Sequence, residues 1–161
     1  MRISEQIFPR SVALIGTISK EGIANLMTAS FVMPVSFEPK MLAFSISPSR
    51  HTFKNLQDVP EFSLNLLEVS QKEAAAICGS NSGRNTDKFA LSGINPQKSS
   101  KIAPPYADCP VSFECKVENV VEAGDHFVVI GRVLAEHAKK GDFRPLLHKG
   151  GSEYMWAQYL G

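Results

Sequence analysis

The apolar positions of this chain fall mostly in short alternating runs. "SVALIGTIS" (11–19) is rich in β-branched residues, "KEG" (20–22) turns it, and "IANLM" (23–27) runs back, which predicts a hairpin. "TASFVMPVSFEPK" (28–40) holds two prolines and scattered apolar residues, so it reads as extended and irregular, with a short strand near 31–36. "MLAFSIS" (41–47) puts Leu42, Phe44 and Ile46 on one side and Ala43, Ser45 and Ser47 on the other, the period of a half-buried strand. Pro48 ends it, because proline brings no N–H to a ladder. Ser49 then stands where an N-cap belongs, and Arg50, Thr52, Asn55 and Leu56 follow at helical spacing.

Further along, "EFSLNLL" (61–67) alternates again, with Phe62, Leu64 and Leu66 on one face. "SQKEAAAIC" (70–78) opens as a capping box, Ser70-x-x-Glu73, and predicts a helix. A polar loop (79–87) ends it, and "KFALSG" (88–93) is long enough for one helical turn. Residues 94–108 carry three prolines and little periodicity, which suits a long surface connection. "VSFECKVENVVE" (111–122) and "HFVVIGRVLAEH" (126–137) flank "AGD" and predict a second hairpin. The tail, 143–160, is apolar enough to dock. Six or seven strands joined by antiparallel hairpins, with two or three short helices, predict a mainly β fold: a small closed, Greek-key-like barrel in one domain, 1–161. Residues 127–134 are apolar on both faces apart from Arg132, which suggests that one face meets another subunit.

Composition narrows the functions. A chain of 161 residues, 43% hydrophobic, supports a real core, and a net charge of +1 leaves no electrostatic footprint for nucleic acid or an anionic membrane. Lys139-Lys140 reads as a solvated face. The N-terminus lacks the apolar region of a signal peptide, and the longest uncharged stretch, 23–37, is too interrupted by polar residues to span a membrane. Cys78, Cys109 and Cys115 show no metal spacing and read as packed, reduced thiols of a cytoplasmic protein. No dinucleotide fingerprint, Walker loop or H-E-x-x-H is present, and "GSNSG" centres on Asn81, not a nucleophilic serine. His51, His126, His137 and His148 are far apart, and adjacency of Asp125 and His126 makes no triad. A redox or group-transfer reaction here needs a bound cofactor to supply the reactive atom.

The junction at "SPSRHT" (47–52) is chemically distinctive. A helix start already presents unpaired N–H groups and a partial positive charge, and an arginine fork with hydroxyls makes it a seat for phosphate. Taken locally, Ser49 could equally be a plain cap and Arg50 a solvated cation.

In order along the chain, "NLMTAS" (25–30), "SPSRHTFKNL" (47–56), "EFSLNLL" (61–67), "TDKF" (86–89) with Gly93, "GDH" with "IGRV" (124–133) and "LLHKGGSEY" (146–154) resemble the flavin reductase-like, FMN-binding split-barrel family, which includes flavoredoxins and reductase components of two-component monooxygenases. The resemblance implies a homodimer of split barrels holding FMN, with FAD as the alternative, near the dimer interface. It places Met27, Thr28, Ala29 and Ser30 along the isoalloxazine, Ser47, Ser49, Arg50 and Thr52 at the ribityl phosphate, and His51 among the other cofactor-binding positions. Arg84, Lys88 and Phe89 would close over the cofactor, and His126 and Tyr154 match positions near the nicotinamide of NADH or NADPH. Each has a plainer reading: small residues also suit a tight strand crossing, Lys88 could pair with Asp87 or face water, His126 could sit exposed after its turn, and Tyr154 could be core or interface. Two functions follow: an NAD(P)H-dependent flavin reductase serving an oxygenase, or a flavoredoxin-type carrier exchanging electrons with an iron–sulfur or other redox protein. A barrel that binds no flavin is the third reading.

Overall fold

The computed structural model describes residues 2–157, so positions 158–160 of the predicted docked tail lie outside the described residues. Seven strands form one antiparallel sheet: β2 (Ala13–Ile18), β3 (Ala24–Ala29), β4 (Val32–Phe37), β5 (Lys40–Ile46), β6 (Glu61–Leu66), β9 (Val111–Ala123) and β10 (His126–Ala138). The order across it is β3-β2-β6-β9-β10-β5-β4. Both predicted hairpins are present: β2 with β3, and β9 with β10. The second turns through Gly124, whose φ of +65° strongly favours a residue without Cβ.

The first and last strands of that order, β3 and β4, are neighbours in sequence, joined only by residues 30 and 31. A two-residue link can connect opposite sheet edges only if the sheet has curled until they meet. At this corner Ser45 N–H donates to Phe31 O at 2.9 Å. Strands β3 and β4 do not pair, so the barrel is split here rather than closed as the hairpin pattern suggested.

Strand alternation separates two cores. Ala13, Ile15, Met27, Phe44, Ile46, Phe62, Leu64, Cys115 and Val129 point inward, with Leu56 of helix α2 (His51–Asp58) plugging one mouth. Val12, Leu14 and Leu26, on the outer face, pack under helices α3 (Lys72–Ser80) and α4 (Lys88–Ser92). The small strands β1 (Arg10–Ser11), β11 (Leu146–Gly150) and β12 (Glu153–Trp156) pair with one another beside the N-terminal turn, α1 (Ile3–Gln6).

Several local expectations shift. Helix α2 starts at His51, its N-cap is Arg50, and no side chain caps it. Ser49 instead lies 3.0 Å from Ser47, hydroxyl to hydroxyl, because the chain first makes a turn closed by Arg50 N–H on Ser47 O at 3.1 Å. The capping box at Ser70/Glu73 is replaced by one at Glu68/Gln71, before a 3-10 turn over Val69–Gln71. The 94–108 connection is less a surface loop than a cover. It pairs β7 (Pro96–Gln97) with β8 (Tyr106–Ala107) and buries Ile102, Ala107 and, at its end, Cys109. In β10, Val129 is buried while Leu134 is 39% exposed, so one face is core and the other keeps apolar surface open.

Candidate functional site

Two amide–hydroxyl bonds fasten α2 to the first hairpin: Asn55 Nδ2 donates to Thr17 Oγ1 at 3.1 Å, and Asn25 Nδ2 to Thr52 Oγ1 at 3.0 Å. All four residues are buried, so this polar seam sets where the helix begins. Beside it lies a basin of about 170 Å³, floored by Met27 and walled by Ser49–Thr52, Cys78, the 80–84 segment and Lys88. It gathers three cationic side chains, Arg50, Arg84 and Lys88, together with His51, and its lining contains no carboxylate.

Lys88 overturns the expectation of a surface lysine or an Asp87 pair. It is only 4% exposed, and its ammonium donates to Cys78 O at 2.9 Å, leaving further donors for the basin. Asp87 is instead the N-cap of α4, accepting from Ala90 N–H. Burial pushes the Lys88 pKa down, with Arg50 adding repulsion. Arg84 Nη2 donates to Ser49 O at 3.0 Å and straps the 81–87 segment to the helix start. Burial also pushes up the Cys78 thiol, which argues against a reactive thiolate.

Two buried atoms here have no partner in the protein: Asn25 Oδ1 and His51 Nδ1. Gly83 presses on both side chains. A Cβ there would fall 2.0 Å from Asn25 Oδ1 and 3.0 Å from His51 Cδ2. Clustered cations, a hydroxyl and a helix start with no carboxylate beside them are what a phosphate-bearing ligand would satisfy, whereas Asn25 Oδ1, an acceptor, calls for a donor instead. The residues therefore fit the phosphate end of a flavin mononucleotide.

Two larger chambers adjoin the basin, each of about 810 Å³. One is lined by Met27–Phe31, Ser45–Ser47, Asp125 and His126, the other by Gly79, Ser80, Gly151, Ser152 and Tyr154. They share Thr28, Ser30, Arg50 and His148. The structure thus brings together Met27, Thr28, Ala29, Ser30, Ser47, Ser49, Arg50, His51, Thr52, Arg84 and Lys88 around three cavities that share lining residues. The Thr28 hydroxyl is occupied, donating to Ala75 O at 2.6 Å. Phe89 lies apart, projecting from α4 into the outer core. His126 and Tyr154 line different chambers. His126 Nδ1 pairs with Asp125 at 2.8 Å, holding the Asp125 pKa down and leaving Nε2 for a ligand. Burial raises the pKa of half-buried Tyr154.

Sequence reasoning passed over Asn25, Gly83, Arg10 and His148. Asn25 was legible as a polar residue inside an apolar strand. Arg10 was not: it donates from Nη1 to Ser4 O and Ile7 O and from Nη2 to His148 Nδ1 at 2.8 Å, pinning the N-terminal segment against the chamber.

A curled sheet split at one corner, with a cation-lined basin and chambers beside the split, defines a split barrel with a candidate anion site. The chain belongs to the flavin reductase like domain family, whose model matches residues 4–157. Its backbone is similar to that of an FMN-binding protein from Thermus thermophilus (28% identity, 94% of this chain and 88% of that one, TM-score 0.85). It is also similar to nitrilotriacetate monooxygenase component B from Mycobacterium thermoresistibile (28%, 98% and 84%, 0.83) and to flavoredoxin from Methanosarcina acetivorans (25%, 100% and 93%, 0.86). Among the described residues no helix is long and apolar enough to cross a membrane, and no cluster of His, Cys, Asp or Glu could hold a metal.

Proposed function

We propose that this protein is an NAD(P)H-dependent flavin reductase that holds FMN with its phosphate in the Arg50–Arg84–Lys88 basin. The basin carries the reading, because it concentrates three cations without a carboxylate beside a chamber large enough for a planar ring. When bound, the flavin supplies a ring that accepts hydride from nicotinamide. The protein's part is placement. Arg50 and Arg84 clamp the anion as charged forks, and the Thr52 hydroxyl, which already accepts from Asn25, has its own hydrogen free to donate. Met27 and Ala29 offer an apolar inner wall, and Ser30 and Ser47 offer hydroxyls at its rim. His126 Nε2, oriented through Asp125, stands at the rim where a nicotinamide carboxamide would dock.

A second copy of the chain completes the cleft in this reading. On the outer face of β4, β5 and β10, an apolar groove of about 470 Å³ is lined by Ile7, Phe31, Met33, Ala43 and Val128, and it shares Arg10, Ser30 and Phe31 with the flavin chamber. Beside it the edge strand exposes Val35 and, at 95%, Phe37. So much open apolar surface on one edge is characteristic of an interface. Similarity to a monooxygenase component supports an oxygenase as the acceptor of reduced flavin. A flavoredoxin-type carrier with little nicotinamide activity is the second reading, favoured by similarity to a flavoredoxin along the whole chain.

The experiment is direct. Purified protein is titrated with FMN, then assayed for NADH and NADPH oxidation. Flavin binding with turnover supports the reductase, binding without turnover supports the carrier, and no binding of FMN or FAD removes both.

A further inference from the structure

His51 stands at the first position of α2, half-buried in the wall of the basin, with Nδ1 buried and without a partner in the protein. The groups around it come from every element that packs there: Arg50 from the β5–α2 link, Lys54 from α2 itself, Arg84 from the 81–87 segment, Lys88 from α4 and the Cys78 thiol from α3. No carboxylate lines the basin to pair with an imidazolium. A further positive charge at His51 is therefore unfavourable until an anion arrives, and a phosphate dianion in the basin would reverse that balance in favour of the imidazolium.

We propose that His51 is a proton-coupled partner of the phosphate: neutral in the free protein, its imidazole takes up a proton from solvent as a phosphate monoester docks in the basin. This rests on the reading of the basin as the flavin phosphate site and adds a property to it. The protein would distinguish FMN from riboflavin by charge and by proton as well, and would hold FMN more tightly as pH falls. The shift in the free protein agrees: burial, then Arg84, Lys54 and Lys88, push the His51 pKa below its ordinary 6.5. Proton uptake spans the interval from that lowered value to the raised value in the complex.

Two measurements test it. In the unsubstituted protein, the His51 imidazole is titrated by NMR alone, with saturating FMN and with saturating riboflavin. The expected result is an apparent pKa higher by about one unit or more with FMN only, equivalent to about tenfold in affinity. An unchanged His51 pKa with FMN bound overturns the proposal. In parallel, Kd for FMN is followed from acid to alkaline pH in wild type and His51→Gln. Wild type should weaken with rising pH about tenfold more than the variant, the phosphate's own ionisation being common to both. Superimposable profiles with FMN still bound sink the role of His51 alone, whereas wild-type protein that binds no FMN at any pH sinks the flavin reading with it.

Discussion

Two regions of this molecule bury polar groups, and they treat them in opposite ways. Under the 94–108 cover, Glu114 is 0% exposed, and its carboxylate accepts from Ser100 N–H at 3.0 Å, Lys101 N–H at 2.6 Å, the Ser100 hydroxyl at 3.3 Å and His137 Nε2 at 2.7 Å. Nearby Asn65 takes Ala107 N–H at 2.9 Å and gives to Leu14 O at 2.8 Å. In the basin, by contrast, three cations crowd together and Asn25 Oδ1 and His51 Nδ1 have no partner. The first region is finished by the chain itself, and the second is left with clustered positive charge that an anionic ligand would balance. Burial of a polar residue does not separate structure from function, but satisfaction of its hydrogen bonds does.

The largest effect should come from breaking the finished region. Glu114→Ala orphans two amides and the His137 ring, and should cost about 3 kcal/mol or more, read as a drop in urea midpoint, while FMN affinity in the basin stays unchanged. Loss of FMN binding in folded Glu114→Ala protein would erase the contrast between the regions. Acid should find the same weak point. Burial alone would raise the Glu114 pKa, but the Ser100 amide, His137 and the Lys101 amide together hold it below its ordinary 4.5. The unfolded chain therefore takes the proton first. The stabilisation is complete above about pH 4.5 and is lost as pH falls through the folded value, and Glu114→Gln should flatten that part of the pH–stability curve.

In the unfinished region the order of effects reverses, with binding more sensitive than stability. Arg50→Ala should weaken FMN by about 2 kcal/mol, ~30-fold, with riboflavin nearly unaffected. Equal losses for the two flavins would move the phosphate elsewhere. Gly83→Ala drives a methyl against Asn25 and should cost FMN affinity about fivefold to tenfold through a displaced wall, visible by fluorescence titration. Smallest, His126→Ala should raise the KM for nicotinamide roughly threefold at unchanged FMN affinity, and an unaltered KM would remove His126 from the site.

Alternation and turn residues made most of the strands legible, because period-two burial is a local property: 13–18 with 24–29, 61–66, and 111–123 with 126–138 are where the pattern puts them, to within a few residues. The Ser-Arg-His-Thr junction stood out as a candidate anion seat for the same reason, since a strand end, a helix start and a charged fork all lie within a few residues. What the pattern could not reach was decided by distant segments. The sheet curls because residues 30–31 join strands that stand at its opposite edges, and it stays split because those two strands do not pair. Ser49 turns instead of capping, and Glu68 rather than Ser70 opens the next helix, because each helix start is set where its element docks. Lys88 is buried because α4 sits against α3, bringing its ammonium to Cys78 O ten residues back. The orphaned atoms of Asn25 and His51 belong to two elements linked by a seam of side chains. A local pattern records which face a residue shows, while the partners waiting on that face are a property of the whole fold.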